Sequence, residues 1–231
     1  MVKQKIINLK NIKIGGQNPI VFILGPCQIE NRDHSLTIAE KISNICEKIS
    51  AKFIFKSSYD KANRSSIDSY RGPGAKQGLE ILRELKQDFG VPVISDIHTP
   101  LEAELASDVL DIIQIPAFLS RQTDLIEAAC QTSLPLNIKK GQFLAPSDML
   151  NILKKCSYFN NDKVMICERG TSFGYNNLVV DMLGVNELKK TQQPVIFDVT
   201  HSLQRPGGLG DKADGRGSNV LELALSLIHI S

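Results

Sequence analysis

A thiol at Cys27 and an imidazole at His201 could share a metal ion, or act together as nucleophile and base. Neither residue lies in a G-x-S-x-G or comparable nucleophile setting, and a borderline divalent metal accepts both donors, so the metal reading ranks first. Two ligands alone do not complete a site. A second constellation is residues 59–74, YDKANRSSIDSYRGPG, which gathers Lys61, Asn63, Arg64, Ser65, Ser66 and Arg71 just before a helical stretch. Arginine offers a planar fork to phosphate, lysine a point charge, and serine and asparagine neutral hydrogen bonds suited to phosphate or sugar hydroxyls. More polar residues stand at the ends of apolar runs. They are Lys56 in the same region, Asp96 and His98, Gln114 with Phe118 beyond it, Lys139 and Lys140, Glu168 and Arg169, and Asp198. Taken singly, a lysine at a strand end is a solvated side chain and a buried cysteine a small hydrophobe. Four or five cations meeting in one mouth repel each other unless anions join them, so together they predict a ligand bearing several negative charges, phosphate and carboxylate.

The elements that must bring these residues together are short apolar runs rich in Val, Ile and Phe, at 20–24, 52–57, 92–97, 111–116, 135–140, 164–168 and 194–199. Amphipathic stretches separate them, at 35–48, 78–88, 123–131 and 148–155, each long enough to be a crossover helix between parallel strands. A hairpin-like lead (6–9, 12–14, then Gly15 and Gly16) precedes the first run. Continuous apolar strands imply burial on both faces. With no dinucleotide-type glycine fingerprint after the first strand, the pattern predicts an α/β fold of the (β/α)8 TIM-barrel type, whose site lies at the C-terminal ends of the strands. Seven strands are visible where a closed barrel has eight. Residues 218–231 read as one helix, so the eighth β/α unit is expected to be missing. The last residues, LSLIHIS (225–231), read as a non-native tail in which His229 carries no function.

Residues 1–231 suit one domain. A formal net charge of +2, with both signs interspersed, leaves no electrostatic footprint for nucleic acid or a membrane surface, so an anion site must be local. The N-terminal residues lack an unbroken apolar stretch, which predicts a cytoplasmic protein. Cys27, Cys46, Cys130, Cys156 and Cys167 are scattered without a C-x-x-C pair and are expected to be reduced thiols.

The blocks GPCQIE, FKSSYDKANRSS, SYRGPG, DIIQIPAFLSRQTDL, NIKKGQF, ERGTSFGYNNLVVDM and FDVTHSLQRPGGLGDK resemble the 3-deoxy-D-manno-octulosonate-8-phosphate synthases, over residues 20–212. The resemblance implies condensation of phosphoenolpyruvate with arabinose 5-phosphate, feeding lipopolysaccharide assembly. It implies that Lys61, Lys140 and His201 are catalytic. Lys56, Lys61, Lys140 and Arg169 would hold phosphoenolpyruvate in a pocket lined by Gln114, Ala117 and Phe118, and Asn63 and Asp96 would meet the sugar. Arg64 and Ser65 would grip the sugar phosphate across a subunit interface, so a homo-oligomer, typically a tetramer, is expected and a monomer would be impaired. Cys at position 27 and the PGGLGDK stretch resemble the metal-dependent branch. They imply a divalent ion (Zn, Fe, Mn or similar) on Cys27 and His201, with further Glu and Asp ligands expected from the region of the eighth strand. Two alternatives remain: a heptulosonate-phosphate synthase using erythrose 4-phosphate, which usually shows a Lys-Pro-Arg type of sequence where this chain has KANRSS, and an inactive fragment that at best binds phosphoenolpyruvate.

Overall fold

The computed structural model describes residues 4–207 and 215–228. It opens with two short antiparallel strands, β1 (Ile7–Leu9) and β2 (Ile12–Ile14), in which Ile7 pairs with Ile14. Apolar and polar residues alternate in both, so Ile7, Leu9, Ile12 and Ile14 share one buried face. That face packs against Ile54, Ile94, Ile112 and Met165. These four come from the inner surface of the main sheet, whose N-terminal end the hairpin plugs.

The chain then alternates strand and helix: β3 (Val21–Leu24), α1 (Arg32–Lys48), β4 (Lys52–Lys56), α2 (Ala75–Phe89), β5 (Val93–Asp96), α3 (Pro100–Ser107), β6 (Ile112–Ile115), α4 (Thr123–Gln131), β7 (Leu136–Lys139), α5 (Met149–Tyr158) and β8 (Val164–Glu168). A small antiparallel pair, β9 (Thr171–Ser172) and β10 (Leu178–Val179), follows, then α6 (Met182–Lys189), β11 (Val195–Phe197), the single turn α7 (Val199–Ser202) and α8 (Val220–Ile228). The main sheet is parallel, in the order β11-β8-β7-β6-β5-β4-β3. All seven expected strands are present in chain order, with ends trimmed by a residue or two, as a curled sheet of the TIM-barrel type.

Strands β5 to β8 are buried at every position, which is why they read as mainly apolar runs, broken by Ser95, Asp96, Gln114, Asn137, Lys139 and Glu168. The edge strands β3 and β11 are mostly half-buried, and among the described residues no strand joins them. Outward residues such as Phe53, Phe55, Val93, Ile113, Leu136 and Ile166 form the larger core against the helices.

Helix α1 begins three residues earlier than its apolar periodicity suggests, because Asn31 Oδ1 accepts the His34 N–H at 2.8 Å and caps the first turn. The sequence pattern passed over α3, α6 and the β9–β10 pair, which are too short for periodicity to register, although Pro100 opens the first turn of α3. Of residues 218–231, expected as one helix, the described part divides into the end of a 3-10 turn, Gly217–Asn219, and α8. His229 lies outside the described residues. No helix among the described residues is long and apolar enough to cross a membrane.

Candidate active site

Strand register decides which polar side chains enter the barrel. Asp96 pairs with Gln114, Gln114 with Asn137, and Asn137 with Met165, a member of the inner core, so all four face inward. Two residues beyond Asn137 on the same face stands Lys139, paired with Cys167. Lys140, one residue further, faces the other way.

Lys140 is therefore a correction to the expected ligand set: its ammonium lies not in the mouth but buried behind the sheet, 2.9 Å from Thr171 Oγ1 and 3.3 Å from the Leu144 carbonyl. A shift of one residue along a strand exchanges the faces, and the Lys-Lys dipeptide does not show which lysine points inward. Lys139 occupies the inner position, its Nζ 2.6 Å from Asp198 Oδ2.

Two linked groups form at the C-terminal ends of the strands. In the first, Lys61 Nζ donates to Ser58 Oγ at 2.8 Å and Ser58 donates to Asp96 Oδ1. The other Asp96 oxygen stands 3.1 Å from His98 Nε2. Behind His98, Glu102 lies 3.5 Å from Nδ1 and accepts both the His98 N–H and the Tyr59 hydroxyl. Burial works against a charged Asp96, but the His98 hydrogen bond and the charges of Lys56, Lys61 and His98 outweigh it and hold the carboxyl far below its usual range. Burial likewise opposes a charged His98, and its bonds to Asp96 and Glu102 overcome that to raise its pKa to about 9.

The second group joins Cys27, His201, Asp198 and Lys139. His201 Nδ1 lies 2.8 Å from Asp198 Oδ2, and its Nε2 lies 3.6 Å from Cys27 Sγ. Desolvation at the mouth disfavours a Cys27 thiolate. The His201 hydrogen bond and the charges of Lys61, His201 and Lys56 prevail, bringing its pKa down to about 6. Asp198 sits well below the ordinary carboxylate range: Lys139 and His201 more than offset its burial. Ligands of one tetrahedral ion at 2.0–2.3 Å stand about 3.5 Å apart, so the spacing of Sγ and Nε2 suits a shared metal, and Asp198 orients the imidazole for it. Among the described residues no third His, Cys, Asp or Glu completes a metal-binding group.

Arg169 completes the mouth. One guanidinium nitrogen, Nη2, donates to Gln204 at 2.9 Å, while Nε and Nη1 are buried without a partner among the described residues. Burial lowers its pKa somewhat, and buried donors left unpaired on a cation suit an anionic ligand. Gln114 lies deeper, bonded to Asn137 at 3.1 Å. Ala117 is buried and Phe118 exposed in a 3-10 turn past β6. Asn63, Arg64 and Ser65 are exposed on the loop after β4, with Arg64 tied to Gln28 and to the Tyr70 carbonyl. Lys56, Lys61, Lys139, Arg169 and His98 set five basic groups against Asp96, Asp198 and the acidic thiol of Cys27, although burial pushes the Lys56 ammonium below its ordinary pKa.

The chain matches the profile of the DAHP synthetase I family over residues 3–229. The chain belongs to that family. Among curated relatives, the 2-dehydro-3-deoxyphosphooctonate aldolase of Pseudomonas fluorescens is 52% identical over 221 residues, 96% of this chain and 79% of the relative. A Pseudomonas putida protein named 2-dehydro-3-deoxyphosphooctonate aldolase 1 is 53% identical over the same shares. The aldolase of that name from Marinobacter nauticus is 52% identical over 95% of this chain and 78% of its own length. Lys139, Asp198 and His98 are among the converging strand ends read from the sequence but not in the ligand set that the resemblance implies, and Ser58 and Glu102 are in neither. Three of them stand at strand ends and were visible as such, whereas Ser58 and Glu102 enter through contacts that no spacing announces.

Proposed function

We infer that the chain catalyses the condensation of phosphoenolpyruvate with D-arabinose 5-phosphate and water, giving 3-deoxy-D-manno-octulosonate 8-phosphate and inorganic phosphate. It is a transferase of the aldolase-like synthase kind. The observation that carries this reading is its identity of 52–53% to relatives of that name over 96% of its length. The cation surplus of the mouth supports it, because phosphoenolpyruvate brings a phosphate and a carboxylate on three adjacent carbons.

In this reading Lys56, Lys61, Lys139 and Arg169 bind those two groups, with Gln114, Ala117 and Phe118 beside them. Carbon three of phosphoenolpyruvate attacks the sugar aldehyde, water adds to carbon two, and the resulting hemiketal phosphate loses phosphate by C–O cleavage. Fixed cations favour each stage at which negative charge gathers on the phosphate or carboxylate. Asp96 and Asn63 meet the sugar, and Arg64 and Ser65, exposed on the rim, take its phosphate. We further propose that they do so across a subunit interface in a homotetramer, in the cytoplasm. Cys27 and His201 would hold a divalent ion, which supplies a Lewis acid or template for the aldehyde or water when bound.

The test is phosphate release from phosphoenolpyruvate with arabinose 5-phosphate or erythrose 4-phosphate, after chelation and after adding back Zn, Fe or Mn. Release with arabinose 5-phosphate alone, restored by a metal, is expected. Release with erythrose 4-phosphate would mark a heptulosonate-phosphate synthase, and silence with both sugars a ligand-binding fragment.

A further inference from the structure

Behind the sheet, outside the mouth, Lys140 is fully buried, with Glu168 nearly so. An ammonium in such a place is costly unless it is paired and hydrogen-bonded. Lys140 Nζ meets Thr171 Oγ1, the Leu144 carbonyl and, at 3.6 Å, Glu168 Oε2. Glu168 uses its other oxygen differently: Oε1 accepts the backbone N–H of Arg169 at 2.9 Å and of Gly170 at 2.6 Å. Those N–H groups belong to the turn by which the chain leaves β8, with Gly170 at φ 90, in the region that favours glycine. The same turn sends the Arg169 guanidinium toward the mouth, where Nε and Nη1 are buried without a partner among the described residues.

The geometry points to Lys140 as a positioning residue: the Lys140–Glu168 pair clamps the Arg169–Gly170 turn, so that the guanidinium stands pre-aimed at the anionic substrate while Lys140 never touches that substrate. This rests on the reading above that Arg169 binds phosphoenolpyruvate. Burial pushes the Lys140 ammonium below its ordinary pKa and Glu168 opposes the shift, as expected of an internal counter-ion. Glu168 is thereby free to act as a charged acceptor for two backbone donors, a stronger arrangement than neutral bonds.

Lys140→Met leaves the Glu168 charge buried and alone, whereas adding Glu168→Gln removes that charge and keeps an amide oxygen for the two N–H groups. The single variant should raise the KM for phosphoenolpyruvate by about tenfold or more, with a smaller change in kcat, and the double variant should return the KM to within about threefold of wild type. A double variant as impaired as the single would mean that Lys140 meets the substrate itself, and would overturn the inference. Should the single variant not fold, the double alone decides, since loss of a direct contact raises its KM and loss of a neutralised clamp does not. The Arg169 Nε–H cross-peak in nitrogen NMR, assigned through Arg169→Lys, gives a readout without turnover. It should shift or broaden in the single variant and recover in the double, and an unmoved cross-peak in the single variant overturns the clamp even if the wild type proves inactive with both sugars. Wild-type silence with a cross-peak that moves and recovers would instead sink the proposed activity and leave the clamp standing.

Discussion

At the scale of single residues, Cys27 carries a thiol whose pKa is brought from the ordinary 9.0 down to about 6. Its sulfur faces His201 Nε2, and Lys61 and Lys56 add positive charge. In chelated protein, iodoacetamide should therefore modify Cys27 with a rate that rises through a midpoint near pH 6 and levels off above it. Removing the principal stabiliser of the thiolate, by His201→Ala, should move the midpoint upward. Peptide mass spectrometry separates Cys27 from Cys46, Cys130, Cys156 and Cys167, all of which are buried. A midpoint unchanged in His201→Ala would contradict the contact on which the metal reading also depends. Arg169 is the other decisive residue, since two of its donors lack a partner among the described residues in a mouth that also holds Lys56, Lys61, Lys139 and His98.

At the scale of elements, Gly25 links β3 to the loop carrying Cys27 at a φ of +151°. A Cβ there would come within 2.0 Å of the Lys56 carbonyl oxygen on the neighbouring strand. Gly25→Ala must separate β3 from β4 or twist the link, and should cost about 2–4 kcal/mol of unfolding free energy, read from the urea midpoint. It should also impair phosphoenolpyruvate binding, because Cys27 and Lys56 move with those strands. Gly90 provides the contrast: it caps α2 in the left-handed region and a Cβ there meets nothing within 4 Å. Gly90→Asn should cost no more than about 1 kcal/mol.

For the whole molecule, the buried charge network ties stability to pH. The pKa of His98 rises on folding from its ordinary 6.5 to about 9, so its contribution is complete below about pH 6.5 and fades as the pH climbs through 9. Asp96 is shifted the opposite way. Its contribution is present above the ordinary value near 3.8 and is lost only in strong acid. In Cys27→Ala, which removes the opposing gain from a thiol whose pKa falls on folding from 9.0 to about 6, urea midpoints should therefore decline between pH 7 and 9.5. Much of that slope should vanish on adding His98→Asn, whose neighbours Asp96 and Glu102 then lack the cation they share. A slope of the same size in the variant would assign the alkaline loss to other groups.

The sequence by itself determined the order and kind of the main elements, because strands buried on both faces must be mainly apolar and their crossovers amphipathic. It also located most of the candidate site: in a parallel barrel the strand ends converge on one face, so polar residues closing apolar runs gather there, although Lys140 and Glu168 close such runs and point away from the mouth. The choice between Lys139 and Lys140 was decided only by the tertiary structure, since side-chain direction depends on the phase of the pleat, and that phase is fixed by pairing with β6 and β8. The links from Lys61 to Asp96 through Ser58, from His98 to Glu102 and Tyr59, and from Glu168 to the Arg169 turn likewise belong to the fold. Each joins groups whose energetic weight arises from being buried together, a condition no stretch of sequence contains.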